Sequence, residues 1–199
     1  TAAAFLLVWQ RTDLAGPAWV ANGVTTMLLE FFVVHATGFY SLVLYGDSTR
    51  TRRTLYLAGL AALYLLLIGG YAWGMHAWWM LGAFGWLSFG KAVTLWTRRA
   101  DGDRDRQLML AMAGWAASVV CYLGAVAASA MVEWPAFGVT PAVIEAAGYG
   151  SGGIWEVQPY RALAGGVLYF GVMALLRLLG QLLLRLLPRR HGAGAAYRP

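Results

Sequence analysis

Long apolar runs alternate with short arginine-bearing connectors along the chain, and that pattern predicts membrane-crossing helices rather than strands. The runs 18–45, 54–74, 78–96, 108–131 and 162–187 reach or approach the ~20 residues that a helix needs to cross a bilayer. Residues 1–10 are too few to cross alone and are read as the end of a sixth helix, should more helix precede them. Arg11, Asp13, Gly16 and Pro17 break that run. Between 132 and 161 hydropathy falls, which predicts a semi-ordered outer loop. Within it, Thr140 as cap and Pro141 as first residue predict a short helix at 141–147. Gly70 and Gly74 have the four-residue spacing that lets helices approach closely.

The expected fold is an all-α integral membrane protein. It is a bundle of five transmembrane helices forming one polytopic domain over 1–187, followed by a disordered basic tail at 188–199. Composition agrees, since 60% of the 199 residues are hydrophobic, only 12% are charged, and mean hydropathy is +0.59. The chain is rich in tryptophan, and Trp78, Trp79 and Trp96 fall where interfacial aromatic belts are expected.

Charge refines the picture. A net charge of +6 raises the question of nucleic acid, but the arginines lie between and beyond apolar runs rather than on one basic face, so no nucleic-acid partner is expected. They read as topology signals. The connectors 46–53 and 97–107 and the C-terminal arginines fall on one side of five spans, with Glu133, Glu145 and Glu156 on the other. This predicts a protein integral to a bacterial inner (cytoplasmic) membrane, with a cytoplasmic C-terminus.

Candidate chemistry is sparse. Glu30 lies 12 residues into the first span and Lys91 lies 13 residues into the third, which runs the same way. With His35 nearby, they are expected to form a buried polar cluster at equal depth, because an ionisable group in hydrocarbon needs a partner. Glu30 and His35 point roughly 140° apart on a helix, so both do not sit squarely on one face. His35 is the candidate ligand for a haem or chlorophyll-type pigment, although no second histidine lies at similar depth and no cofactor is required by the sequence. The solitary Cys121 excludes an internal disulfide and a cysteine zinc site, and no metal site is expected. Gly85 to Lys91 matches the spacing of a phosphate-binding loop but lacks the hydroxyl after the lysine and lies inside an apolar run, so it is rejected.

At the surface, His76, Trp134, Trp155 and Glu156 are read as outer-face partner contacts. Arg177, Arg185 and Arg189 recur at four-residue multiples and are read as inner-leaflet lipid contacts. No catalytic motif is present, and the enzyme reading is disfavoured. The leading expectation is a non-catalytic accessory or structural subunit of a larger membrane complex, with the lipid bilayer and other membrane subunits as partners. The alternatives are a small-solute or ion permease using Glu30, Lys91 and His35, and a haem- or pigment-binding subunit using His35.

Overall fold

The computed structural model describes residues 1–97 and 104–186. The expected tail at 188–199, with Arg189, and the middle of the 97–107 connector lie outside the described residues, as does the side chain of Arg185. The described chain is all-helical, with α1 (Ala2–Gln10), α2 (Thr12–Ala15), α3 (Pro17–Tyr45), α4 (Arg50–Gly74), α5 (Trp79–Thr97), α6 (Arg104–Met131), α7 (Pro141–Ala146), α8 (Ile154–Val157) and α9 (Pro159–Leu186).

Local signals explain the helix starts. Gly16 takes a left-handed φ of 86°, and Pro17 then supplies the ring-fixed φ that suits a first turn. The α4 helix begins four residues before the expected Thr54, because the Thr49 side chain accepts a hydrogen bond from the Arg52 backbone N–H. Thr140 caps α7 in the same way, accepting from the Val143 N–H.

Among the described residues four helices, α3, α4, α6 and α9, are long and apolar enough to cross a membrane, so the expected count of five is not reached by these measures. The helix that falls short is α5. It has 19 residues and carries Gly82, Gly85, Ser88, Gly90, Lys91 and three tryptophans, which lower its hydropathy. A lipid bilayer is the environment that the four apolar helices call for.

The central helix is α3, which separates two buried clusters. On one side Phe5, Trp9, Met27, Tyr122, Leu163 and Tyr169 join α1, α3, α6 and α9. On the other, Phe32, Tyr40, Tyr64, Ile68, Met80 and Phe84 join α3, α4 and α5. The short α1 docks along α9, where a Cβ added at Gly166 would fall 2.2 Å from the Phe5 ring. Close approach occurs there and at Gly38, not at the expected pair, since nothing lies within 4 Å of a Cβ built on Gly70 or Gly74.

Arginines close the helix C-termini, where backbone carbonyls lack intrahelical donors and the helix dipole favours a cation. Arg53 donates to the carbonyls of Leu44 and Gly46 at the end of α3, and Arg104 donates to that of Tyr45. Arg50 donates to the Trp96 carbonyl at the end of α5. These bonds gather the ends of α3 and α5 and the starts of α4 and α6 at one end of the bundle. At the opposite end Arg161 donates to the carbonyls of Ser129 and Ala130 in the last turn of α6 and of Val132 just beyond it.

The loop from 132 to 158 covers that second end. The Trp9 indole donates to the Pro135 carbonyl, and the Gly138 N–H donates to the Trp9 carbonyl. Tyr149 reaches toward the Ala21 carbonyl at the start of α3. Its burial, with Glu156 nearby, pushes its phenol up to about 12, which keeps it protonated and able to donate.

Candidate functional site

A cavity of about 1050 Å³ runs along α3 and is walled by α5, α6, α9 and the first residues of α1. It slightly exceeds the ~300–1,000 Å³ usual for small-molecule sites. The second half of α9 is exposed from Leu175 to Leu183, and of this stretch Leu176 and Arg177 line the cavity. One carboxylate and two basic side chains line the space: Glu30 on α3, Lys91 on α5 and Arg177 on α9.

The Glu30 carboxylate accepts a hydrogen bond from the Tyr169 hydroxyl at 2.7 Å. The Tyr169 ring meets that of Tyr122 edge-on, and the Tyr122 hydroxyl donates to the Met27 carbonyl at 2.8 Å. Beyond Glu30, toward the start of α3, the buried Met27, Tyr122 and Leu163 fill the interior. Glu30 therefore marks the deep end of the cavity. Its partner is a phenol rather than a cation, since neither ion pair among the described residues involves Glu30, Lys91 or Arg177.

The register of the helices sets the depths of these groups. Tyr40 and Ser88 share a buried hydrogen bond of 2.9 Å, which aligns α3 with α5. Glu30 lies ten residues before Tyr40, and Lys91 lies three residues beyond Ser88. In helices running the same way, that separates them by roughly 20 Å along the axis. The expectation of equal depth counted both helices from their N-terminal ends. The 29-residue α3 and the 19-residue α5 are instead aligned at their C-terminal ends, where Arg50 and Arg104 tie them.

Arg177 lies eight residues past Tyr169, hence near the level of Gly38, and it is within electrostatic range of Glu30. Lys91 falls near the level of Val43, so the two cations are only roughly 8 Å apart along the axis.

Hydroxyls near these levels are already committed as donors. Thr37 donates to the Val33 carbonyl, Ser41 to the Thr37 carbonyl and Thr94 to the Gly90 carbonyl. With its single proton used on the backbone, each offers the cavity only an acceptor.

His35 is not part of this group. It is exposed on another face of α3 in a stripe with Phe31, Phe39 and Leu42. Its Nδ1 lies 3.1 Å from the Tyr64 hydroxyl, Phe31 stacks on it, and Phe39 meets it edge-on. The 140° between Glu30 and His35 becomes a cavity face and an outward face. Among the described residues, no group of three or more His, Cys, Asp or Glu is placed to hold a metal ion.

The outer-face residues are placed differently from one another. His76 is exposed in the tight turn between α4 and α5 with a left-handed φ of 52°. The Trp134 indole donates to the Ala128 carbonyl and packs on Trp9, while the Trp155 indole donates to the buried Ser129 hydroxyl. Both half-buried indoles are thus spent on holding the loop to α6. Glu156 folds back so closely on Gly152 that a side chain there would overlap its carboxylate.

Reading the sequence for charges missed Tyr169, Tyr122 and Trp115. The signal for the first two was present. Tyr64, Tyr122 and Tyr169 each sit inside an apolar run, where a phenol needs a partner, and all three hydroxyls reach α3.

The fold and cavity define, among the described residues, an all-helical protein with four helices long and apolar enough to cross a bilayer and a cavity beside its central helix that carries one carboxylate and two basic side chains. Comparison with protein-family models, with curated proteins and with solved structures finds no match.

Proposed function

We propose that the chain is a small-solute permease that crosses the membrane five times and takes up its solute in the cavity beside α3. The observation that carries this reading is the cavity itself, which brings Glu30, Lys91 and Arg177 to one space that extends past mid-bundle and ends at the Glu30–Tyr169 bond. Ionisable groups at membrane depth are costly and are retained where they face a partner or a pathway.

Five crossings are supported by α5. At ~1.5 Å per residue, its 19 residues extend roughly 28 Å, close to the ~30 Å hydrocarbon core. The arginine-bearing end is proposed to face the cytoplasm, so that the cavity belongs to the inner leaflet and the loop at 132–158 lies outside. The accessory-subunit reading loses support because Trp134 and Trp155 are committed within the chain.

Labelling tests the topology. In a Cys121→Ala background, Ser48→Cys and Thr94→Cys should react with a membrane-impermeant maleimide from the same face, and Met75→Cys from the other. Reaction of Thr94→Cys and Met75→Cys from a single face would mean that α5 does not cross.

Flux tests the function. Vesicles containing the protein and loaded with succinate, glycine or glycerol should release at least one of them about tenfold faster than protein-free vesicles, equivalent to a barrier lowered by ~1.4 kcal/mol. Glu30→Gln or Lys91→Met should change that rate without unfolding the protein. Release of all three no faster than the blank would remove the permease reading.

A further inference from the structure

We infer that the solute is a small oxyanion, a carboxylate or phosphate group held between Arg177 and Lys91; this inference rests on reading the cavity as a solute site. Two cations against one carboxylate leave the lining with an excess of positive charge. The carboxylate is within electrostatic range of Arg177 but forms an ion pair with neither cation among the described residues. Glu30 accepts from Tyr169 at the deep end, roughly 20 Å along the axis from Lys91 and roughly 12 Å from Arg177.

Neither cation has a hydrogen-bond or ion-pair partner among the described residues. With one carboxylate for two cations beside apolar walls such as Leu87, Leu110 and Met173, the lining favours one further negative charge. Because Thr37, Ser41 and Thr94 have given their protons to the backbone, Lys91 and Arg177 supply the donors at this level. An oxyanion accepts from both, and the guanidinium can bind it through two parallel N–H bonds. A cationic solute would meet like charge at this level, and a neutral one would leave the excess positive charge of the lining unmatched. The same chemistry is found on a free carboxylate or phosphate and on the headgroup of an acidic lipid.

Calorimetric titration of the full chain in phosphatidylcholine nanodiscs tests this, using inorganic phosphate and succinate, with choline and glycerol as comparators at constant ionic strength. Saturable binding of phosphate or succinate is expected. Arg177→Gln and Lys91→Gln should each weaken it about tenfold or more, as loss of a charge-assisted hydrogen bond does. Arg177→Lys should retain most of the affinity. Neither native side chain is hydrogen-bonded, so the variants should melt with the wild type, and Arg177→Lys remains the comparison if a glutamine variant is damaged.

Nanodiscs containing phosphatidylglycerol separate the two sources. A weakened apparent affinity for the free anion identifies the lipid headgroup as the occupant, and an unchanged affinity identifies the free solute. Anion binding that is undiminished in both glutamine variants overturns the inference. Binding of choline or glycerol without either anion also overturns it while leaving the cavity as a solute site, and binding of no probe at all removes both.

Discussion

Replacing Trp115 with alanine is expected to destabilise the protein by about 3 kcal/mol, the low end of the usual tryptophan truncation cost, because the side chain is only half-buried. This residue couples α6 to α3 in two ways. Its indole donates to the Val34 carbonyl at 3.0 Å, and its ring lies against Gly38, where an added Cβ would fall 2.7 Å away. It also lines the cavity, so truncation should widen the space between α3 and α6. Trp115→Phe keeps most of the contact and loses the hydrogen bond, and should cost about 1 kcal/mol. Unfolding by denaturing detergent measures both. If the alanine variant stays within 1 kcal/mol of the wild type, Trp115 is not the link between these helices.

Tyr169→Phe should cost about 1.5–3 kcal/mol, because it removes the one hydrogen-bond donor recorded for Glu30 among the described residues and leaves the carboxylate at the deep end of the cavity. Glu30→Leu should also destabilise, by leaving the phenol of Tyr169 without its acceptor. The double variant Glu30→Leu with Tyr169→Phe should then cost clearly less than the two singles together, because no polar group is stranded. The same unfolding measurement on all four proteins gives the coupling. Strictly additive costs would mean that the bond of 2.7 Å contributes nothing to the native state.

The helices were legible because backbone polar groups in hydrocarbon must be satisfied within the helix, which writes a long apolar run into the sequence. The count was less legible. The α5 helix carries glycines, Ser88 and Lys91 on a helix of only 19 residues, and such a segment lies at the edge of any test based on length and hydropathy. Arginines could be read as a topology signal but not as caps. That Arg53 closes α3 and Arg161 closes α6 depends on which helix end lies beside each, and Arg161 serves this role at the end opposite the arginine-rich connectors.

For the candidate site, the sequence singled out Glu30 and Lys91 by their cost in an apolar setting and read Arg177 as an inner-leaflet lipid contact, and the structure lines one cavity with all three. It also drew His35 into the same group, which the structure does not. A helix turns ~100° per residue, so five residues carried His35 to another face, where Tyr64 meets it. Depth was misjudged for a related reason, since counting from the start of each run assumes that the starts are level.

By itself, then, the sequence determined that the chain is helical, where the long helices run and which few side chains are out of place among lipid-like neighbours. These are properties of short stretches, set by the cost of bare backbone and bare charge in hydrocarbon. Only the tertiary structure decided which of those side chains share a space. That outcome rests on helix rotation and register, and these are fixed by contacts between distant residues: the Tyr40–Ser88 bond, the Tyr169–Glu30 bond, Trp115 over Gly38 and Phe5 against Gly166.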